Sequence, residues 1–144
     1  MENILREKKT ELDFFPTCSK ETWKKRQELL GRVRRFFEQR SVLEVETPVL
    51  SHACGTDPNL DYFKTQGAQT RYLMTSPEFH LKRLLASGFG DVYAIARSFR
   101  EDETGERHNP EFTMIEWYRV GMSMVNLMTE VEELCFVIVL LRVT

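Results

Sequence analysis

The sequence predicts an α+β domain in which an antiparallel sheet is flanked by helices. Three observations carry that expectation. Leu29, Leu30, Val33, Phe36 and Phe37 recur at the helical period. Residues 92–100 and 111–120 both read as strands, and the polar segment 101–110 between them makes the pair a β-hairpin. A third stretch, residues 71–75, runs straight into Ser76-Pro77-Glu78, a helix-opening triplet.

Taken in order, residues 1–18 show little periodicity and are expected to be a loose arm ahead of a domain spanning 19–144. Ser19, with Glu21 and Thr22 behind it, can cap the first helix, which runs through Arg40. The other face of that helix carries Lys24, Lys25, Arg32, Arg34 and Arg40, a pattern that usually means a solvated surface. Leu43, Val45 and Thr47 alternate with Val42, Glu44 and Glu46, and Pro48 ends this strand because proline has no N–H to give a ladder. Gly, Asp, Pro and Asn cluster over 51–61 as a loop. Ser76 can then be an N-cap, Pro77 the first helical residue and Glu78 an acid in the dipole-favoured first turn. Leu81, Leu84 and Leu85 continue this helix to a stop at Gly88. Last, Ser123 can cap a helix with Leu127, Met128, Val131, Leu134, Cys135 and Ile138 on one face.

Composition bounds the function. With 144 residues, 42% of them hydrophobic, the chain can build a core, and 20 basic against 22 acidic residues give a net charge of −2. A protein that coats nucleic acid or an anionic membrane normally carries a clear basic excess. Cys18, Cys54 and Cys135 are an odd number without a Cys-x-x-Cys pair, so neither a disulfide framework nor a protein-held metal is expected, and a reducing cytoplasm fits best. The N-terminus lacks the apolar stretch of a signal peptide. The longest apolar run, residues 134–141, is eight residues, against the ~20 that span a bilayer.

The hairpin carries chemistry. Its connection exceeds the ~2–5 residues of an ordinary hairpin loop, which points to a function. Alternation puts Ala94, Ala96, Ser98 and Arg100 on one face of the first strand, and Phe112, Met114, Glu116 and Tyr118 on one face of the second. A sheet face holding Arg100, Glu116 and Tyr118 is poor core and good pocket. Arg100 can fork onto a phosphate or carboxylate, Phe112 can stack on a base, and His108 and Asn109 can donate to phosphates. Together they describe a nucleotide site without a glycine-rich loop. On composition alone, Arg100 paired with Asp102 or Glu103 and Phe112 in the core is the more economical reading. Glu78 and Glu116 form a second constellation that suits a substrate with two ammonium groups, aided by the Tyr118 hydroxyl. An acid/base pair or metal ligands are equally compatible with their spacing.

Longer strings narrow the choice. Thr75-Ser76-Pro77-Glu78, Lys82-Arg83-Leu84, Ser98-Phe99-Arg100-Glu101-Asp102-Glu103 and the run from Arg107-His108-Asn109-Pro110-Glu111-Phe112 to Glu116-Trp117-Tyr118 resemble the catalytic core of the class II lysyl-tRNA synthetase family. Val45-Glu46-Thr47-Pro48 is similar to its motif 1, the family's homodimer interface, and residues 99–118 to its motif 2. The resemblance implies that family's antiparallel sheet and an ATP-dependent ligase forming an aminoacyl-adenylate. Arg100 would be the catalytic clamp on the α-phosphate, and Glu101, Asp102 and Asn109 would line ATP. His108 would approach its phosphates and Phe112 stack on adenine. Ser76, Pro77 and Glu78 would hold the amino end of a lysine-type substrate, with Glu116 and Tyr118 at its side-chain ammonium. One departure is Asp102, where the family has glutamate.

The short N-terminus, Phe79-His80 and Trp117-Tyr118-Arg119 are most similar to the short paralogues of that family that attach (R)-β-lysine to a lysine of elongation factor P. That implies elongation factor P as partner and no role for tRNA, since no anticodon-reading domain precedes the core. Nothing after Tyr118 is similar to the family's motif 3, which carries most ligands for Mg2+. The chain is therefore expected to be the N-terminal part of such an enzyme, weak or inactive alone. The alternatives are a piece of a tRNA-charging lysyl-, asparaginyl- or aspartyl-type synthetase, or a non-catalytic paralogue that binds a nucleotide or a partner. The choice between lysine and β-lysine is open.

Overall fold

The computed structural model describes residues 16–101, 105–106 and 108–139. In chain order they form helix α1 (Lys20–Glu38), strands β1 (Leu43–Glu44), β2 (Leu50–Ser51) and β3 (Tyr72–Leu73), and helix α2 (Glu78–Ala86). Strands β4 (Val92–Phe99) and β5 (Glu111–Tyr118) and helix α3 (Met124–Val139) follow. The arm expected over 1–18 lies, as far as residue 15, outside the described residues.

Local chemistry explains most of the element ends. The Ser19 hydroxyl accepts from the Thr22 N–H at 3.1 Å and starts α1; Ser123 accepts from the Asn126 N–H at 3.2 Å and starts α3. Helix α2 stops as glycine at position 88 predicts. Gly88 adopts φ 81°, its N–H donates to the Leu85 carbonyl, and Phe89 N–H donates to the Leu84 carbonyl, the paired bonds of a Schellman turn. The start of α2 is one residue later than expected. Pro77 is its cap residue without a side-chain capping bond, and its carbonyl accepts from the Leu81 N–H.

The expected antiparallel sheet is corrected to a mixed one. Strand order is β1-β4-β5, with β1 parallel to β4 and β4 antiparallel to β5; β2 and β3 form a separate antiparallel pair. The cause is the crossover through α2, which returns the chain to the same end of the sheet before β4 begins. Strand β1 is also shorter than the alternation over 42–47 implies, and its phase is offset. Val42 is buried beside Phe37 while Leu43 points outward, 52% exposed.

The register of the hairpin pairs Val92 with Tyr118, Ala94 with Glu116, Ala96 with Met114 and Ser98 with Phe112. Directly opposed residues share a face, so the small row and the row of Phe112, Met114, Glu116 and Tyr118 do point the same way, as alternation requires. That face packs on α2 through Leu81, Leu84 and Leu85. The opposite face carries Tyr93, Ile95, Ile115 and Trp117 against Val33, Phe36 and Phe37 of α1 and Leu134 of α3. Phe37 stacks on Tyr93 with ring centroids 4.3 Å apart.

Helix α3 departs from expectation in rotation. Met128, Val131 and Cys135 face outward, whereas Glu130 is buried beside Leu134. Glu130 accepts from Trp117 Nε1 at 2.9 Å and pairs with Arg119 at 3.3 Å and Arg40 at 3.8 Å. Arg40 thus belongs to an ion network rather than to a simply solvated face. Among the described residues, no helix is long and apolar enough to cross a membrane.

Candidate active site

A cleft of about 680 Å³ opens where the face of the hairpin that carries Glu116 meets the start of α2. Ser76, Glu78, Arg100 and Glu116, four of the residues singled out in the sequence, line it together. They come from three elements brought side by side. Ser76 precedes α2, Glu78 opens it, Glu116 lies on β5, and Arg100 follows β4, where its N–H donates to the Pro110 carbonyl at 2.9 Å and extends the hairpin by one rung.

The acid at 116 is held from both sides. Ser76 Oγ donates to Glu116 Oε2 at 2.6 Å, and Tyr118 Oη donates to Glu116 Oε1 at 2.8 Å. Burial pushes the Tyr118 phenol well above its usual range, and the Glu116 hydrogen bond and the charges of Glu116 and Glu78 add to the shift. Its proton therefore stays in place near neutrality as a donor to the carboxylate. Glu78 is paired with the Lys82 ammonium one turn along the helix. The Arg100 guanidinium carbon lies 5.2 Å from the Phe112 ring centroid, within cation–π range.

Other expected site residues take different places. Pro77 is buried at the helix cap and Phe112 flanks Arg100, but neither lines the cleft. Glu101, His108 and Asn109 are exposed on the hairpin connection, where Gly105 and His108 exchange backbone bonds at 3.1 and 3.2 Å. Asp102 falls outside the described residues. Among the described residues no three His, Cys, Asp or Glu side chains converge as a set of metal ligands.

The far wall was not foreseen. It comes from the loop after β2 through Gly55, Asp57 and Tyr62. Tyr62 Oη donates to the Asp57 carbonyl at 3.4 Å, and a Cβ on Gly55 would sit 2.9 Å from that hydroxyl, so only glycine leaves the two in place. The Gly-Asp-Pro-Asn composition marked the segment as a loop but said nothing of what it covers. Lys82 was legible in principle, since it stands four positions after Glu78 on a helix. A second hollow, about 530 Å³, lies by Arg34, Glu44 and Tyr93, where the Glu44 carboxylate is already held by the Arg34 guanidinium and the Tyr93 hydroxyl.

Comparison with known proteins adds three facts. Residues 2–140 match the family model described as tRNA synthetases class II (D, K and N). The chain is 52% identical to an elongation factor P–(R)-β-lysine ligase of Vibrio vulnificus over 85% of its own length and 40% of the relative's. It is 50% identical to the Vibrio cholerae ligase over 87% and 41%, and 54% identical to the Yersinia enterocolitica ligase over 76% and 36%. The chain thus spans about 40% of the length of the curated relatives it matches.

Proposed function

Since the chain belongs to the class II tRNA synthetase family of the D, K and N type, we propose that it serves in an ATP-dependent ligase that activates a lysine-type amino acid as an aminoacyl-adenylate and passes it to a lysine of elongation factor P. The relatives' names supply the acceptor and favour (R)-β-lysine as the amino acid. The observation that carries the reading is the Glu116 carboxylate, fixed by two hydroxyl donors in a cleft that also holds Glu78 and Arg100.

In this reading Glu116 takes the side-chain ammonium and Glu78 the other amino group, exchanging its bond to Lys82 for one to the substrate. Each is a charge-assisted bond, stronger than a neutral one. The substrate carboxylate then lies toward Arg100, attacks the α-phosphorus of ATP and expels pyrophosphate. No protein atom need bond covalently. The guanidinium of Arg100 offsets the negative charge that gathers on the α-phosphate, and the neighbouring Phe112 ring holds that guanidinium in place and offers a face to adenine. Glu101, Asp102, His108 and Asn109 of the connection are assigned to the rest of the nucleotide. Magnesium would screen the ATP phosphates, with ligands that these residues do not make up by themselves. The dimer is proposed at residues 43–50, where Leu43, Val49 and Leu50 are 52%, 42% and 47% exposed.

The test, made on a full-length version of the enzyme because this part is expected to be weak or inactive alone, is ATP–pyrophosphate exchange with (R)-β-lysine and with lysine, followed by transfer of labelled amino acid to elongation factor P. Exchange that needs (R)-β-lysine, with label on the factor, is expected. Preference for lysine with charging of tRNA would make the protein a tRNA synthetase, and failure to bind either ATP or a diamino acid in calorimetry refutes both. Arg100→Ala should weaken ATP binding by ~10–100-fold, the worth of about one charged hydrogen bond to phosphate; unchanged binding overturns the clamp.

A further inference from the structure

Ser76 does more than line the cleft. Its hydroxyl makes two bonds of opposite sense, accepting from the Glu78 N–H at 3.1 Å and donating to Glu116 Oε2 at 2.6 Å. The first partner is one of the helix-start N–H groups that have no acceptor within their own helix. The second is a carboxylate on another element, in the middle of the hairpin. One oxygen therefore joins the start of α2 to β5, and it does so between the two residues whose carboxylates both face the cleft.

The other bond to Glu116 cannot make this link. Tyr118 lies two residues along the same strand, so its hydroxyl fixes the carboxylate relative to β5 and not relative to α2. Among the described residues, the hydrogen bond that crosses from Glu116 to the helix start is the one from Ser76. Its proton is committed to Glu116 and one lone pair to Glu78, which leaves it little to offer a ligand directly.

We infer that Ser76 is a positioning residue that sets the Glu116 carboxylate relative to the start of α2, from which Glu78 reaches into the cleft, and so tunes the spacing of the two ammonium groups that the cleft accepts. This rests on the cleft being a diamino-acid site. With alanine at 76 the Glu116 carboxylate loses the bond that orients it toward α2, and the Glu78 N–H loses its acceptor. Each acid keeps its charge, so a diamino acid still binds. What is lost is the fixed position of the Glu116 carboxylate relative to the helix start that carries Glu78, and with it the penalty on a ligand one methylene too short or too long. Threonine keeps the hydroxyl and should keep the spacing.

Two measurements on the full chain test this. The first is calorimetric titration with lysine, (R)-β-lysine and ornithine. The amino-bearing carbons lie three bonds apart in both (R)-β-lysine and ornithine and four apart in lysine. The Ser76 protein should therefore separate (R)-β-lysine from lysine by about tenfold, the usual worth of one methylene in a fitted pocket; Ser76→Ala should bring that ratio to within twofold of unity, and Ser76→Thr should restore it. Equal weakening toward all three ligands, with the ratio kept, overturns the inference in favour of a merely structural serine. The second needs no ligand. The amide signal of Glu78 in a 1H–15N spectrum should shift on Glu116→Gln in the Ser76 protein, and that shift should vanish in the Ser76→Ala background. A signal that does not move in the Ser76 protein refutes the link, and this half requires no folded alanine variant. Absence of all diamino-acid binding by the Ser76 protein refutes the substrate reading and the selectivity built on it, while the amide shift still decides whether the two elements are coupled.

Discussion

Replacing Glu130 by leucine tests the packing that holds the hairpin in place. Glu130 is only 5% exposed, and its carboxylate faces Trp117 Nε1 at 2.9 Å, the Arg119 guanidinium at 3.3 Å and Arg40 at 3.8 Å. Leucine fills the space but leaves the Trp117 N–H without its acceptor, at a cost of ~1–3 kcal/mol. It also removes one of two counter-ions from Arg119, whose side chain is 14% exposed. Losing one partner of a buried pair costs ~3–5 kcal/mol when the remaining charge is uncompensated. Here Asp91 still pairs with Arg119 at 2.9 Å, so that contribution is discounted to roughly 1 kcal/mol. The gain from burying leucine offsets part, and a net loss of about 2–3 kcal/mol is expected in urea unfolding followed by tryptophan fluorescence. Glu130→Gln keeps an acceptor for Trp117 and should cost less. Glu133→Gln is the control: its partner is also Arg40, at 2.7 Å, but Glu133 is 51% exposed, and such pairs are worth at most about 1 kcal/mol. If Glu130→Leu costs no more than Glu133→Gln, the account of the buried network is wrong.

Three more outcomes follow from the same geometry. Burial and carboxylate partners raise the phenols of Tyr93 and Tyr118 above the unfolded value of ~10. A raised acid favours the folded state fully below the unfolded value and loses that contribution as pH climbs toward the folded one, so stability should hold to about pH 10 and then fall. Tyr93→Phe and Tyr118→Phe should each flatten that fall by up to ~1.4 kcal/mol per pH unit in urea titrations, and an unchanged slope contradicts the assignment. Lys82→Met removes an exposed i,i+4 partner of Glu78 worth ~0.3–0.5 kcal/mol. Stability should hardly change while diamino-acid affinity rises about twofold, because the ligand no longer displaces Lys82; a fall in affinity would mean that Lys82 touches the substrate. Gly55→Ala would bring a methyl group to 2.9 Å from the Tyr62 hydroxyl and 3.6 Å from Phe79, so ligand binding should weaken, and removing the hydroxyl with Tyr62→Phe should restore it.

What was legible in the sequence depended on whether one element alone could decide it. Ser19, Ser123 and Gly88 act within a turn of themselves, and all three mark their helix ends as read. The alternation of the hairpin fixed which residues share a face, and that sufficed to bring Glu116 and Arg100 to the cleft. The parallel pairing of β1 with β4 was out of reach, because strand direction is set by the crossover and not by the strand. The same limit explains Ser76, whose capping role was half right. Its oxygen does take the Glu78 N–H, but its proton goes to a residue 40 positions away.

Helix α3 shows the limit at its sharpest. Periodicity locates a buried face when the two faces differ, and here they barely do. Met124, Met128 and Val131 point outward at 75%, 57% and 40% exposed, while Leu127, Leu134 and Ile138 turn toward the sheet. With apolar side chains on both sides, hydrophobicity leaves the rotation nearly degenerate. The residue that breaks the tie is the buried acid, Glu130. Turning Glu130 outward would strand the Trp117 N–H and one flank of Arg119 on the inner side, whereas turning it inward satisfies both. The signal for the rotation of α3 therefore lay in Trp117 and Arg119, on β5 and just beyond it. Those residues flank Glu116 and Tyr118 on the strand and point to the opposite face, so the network that orients α3 also fixes the strand that presents the cleft's acid.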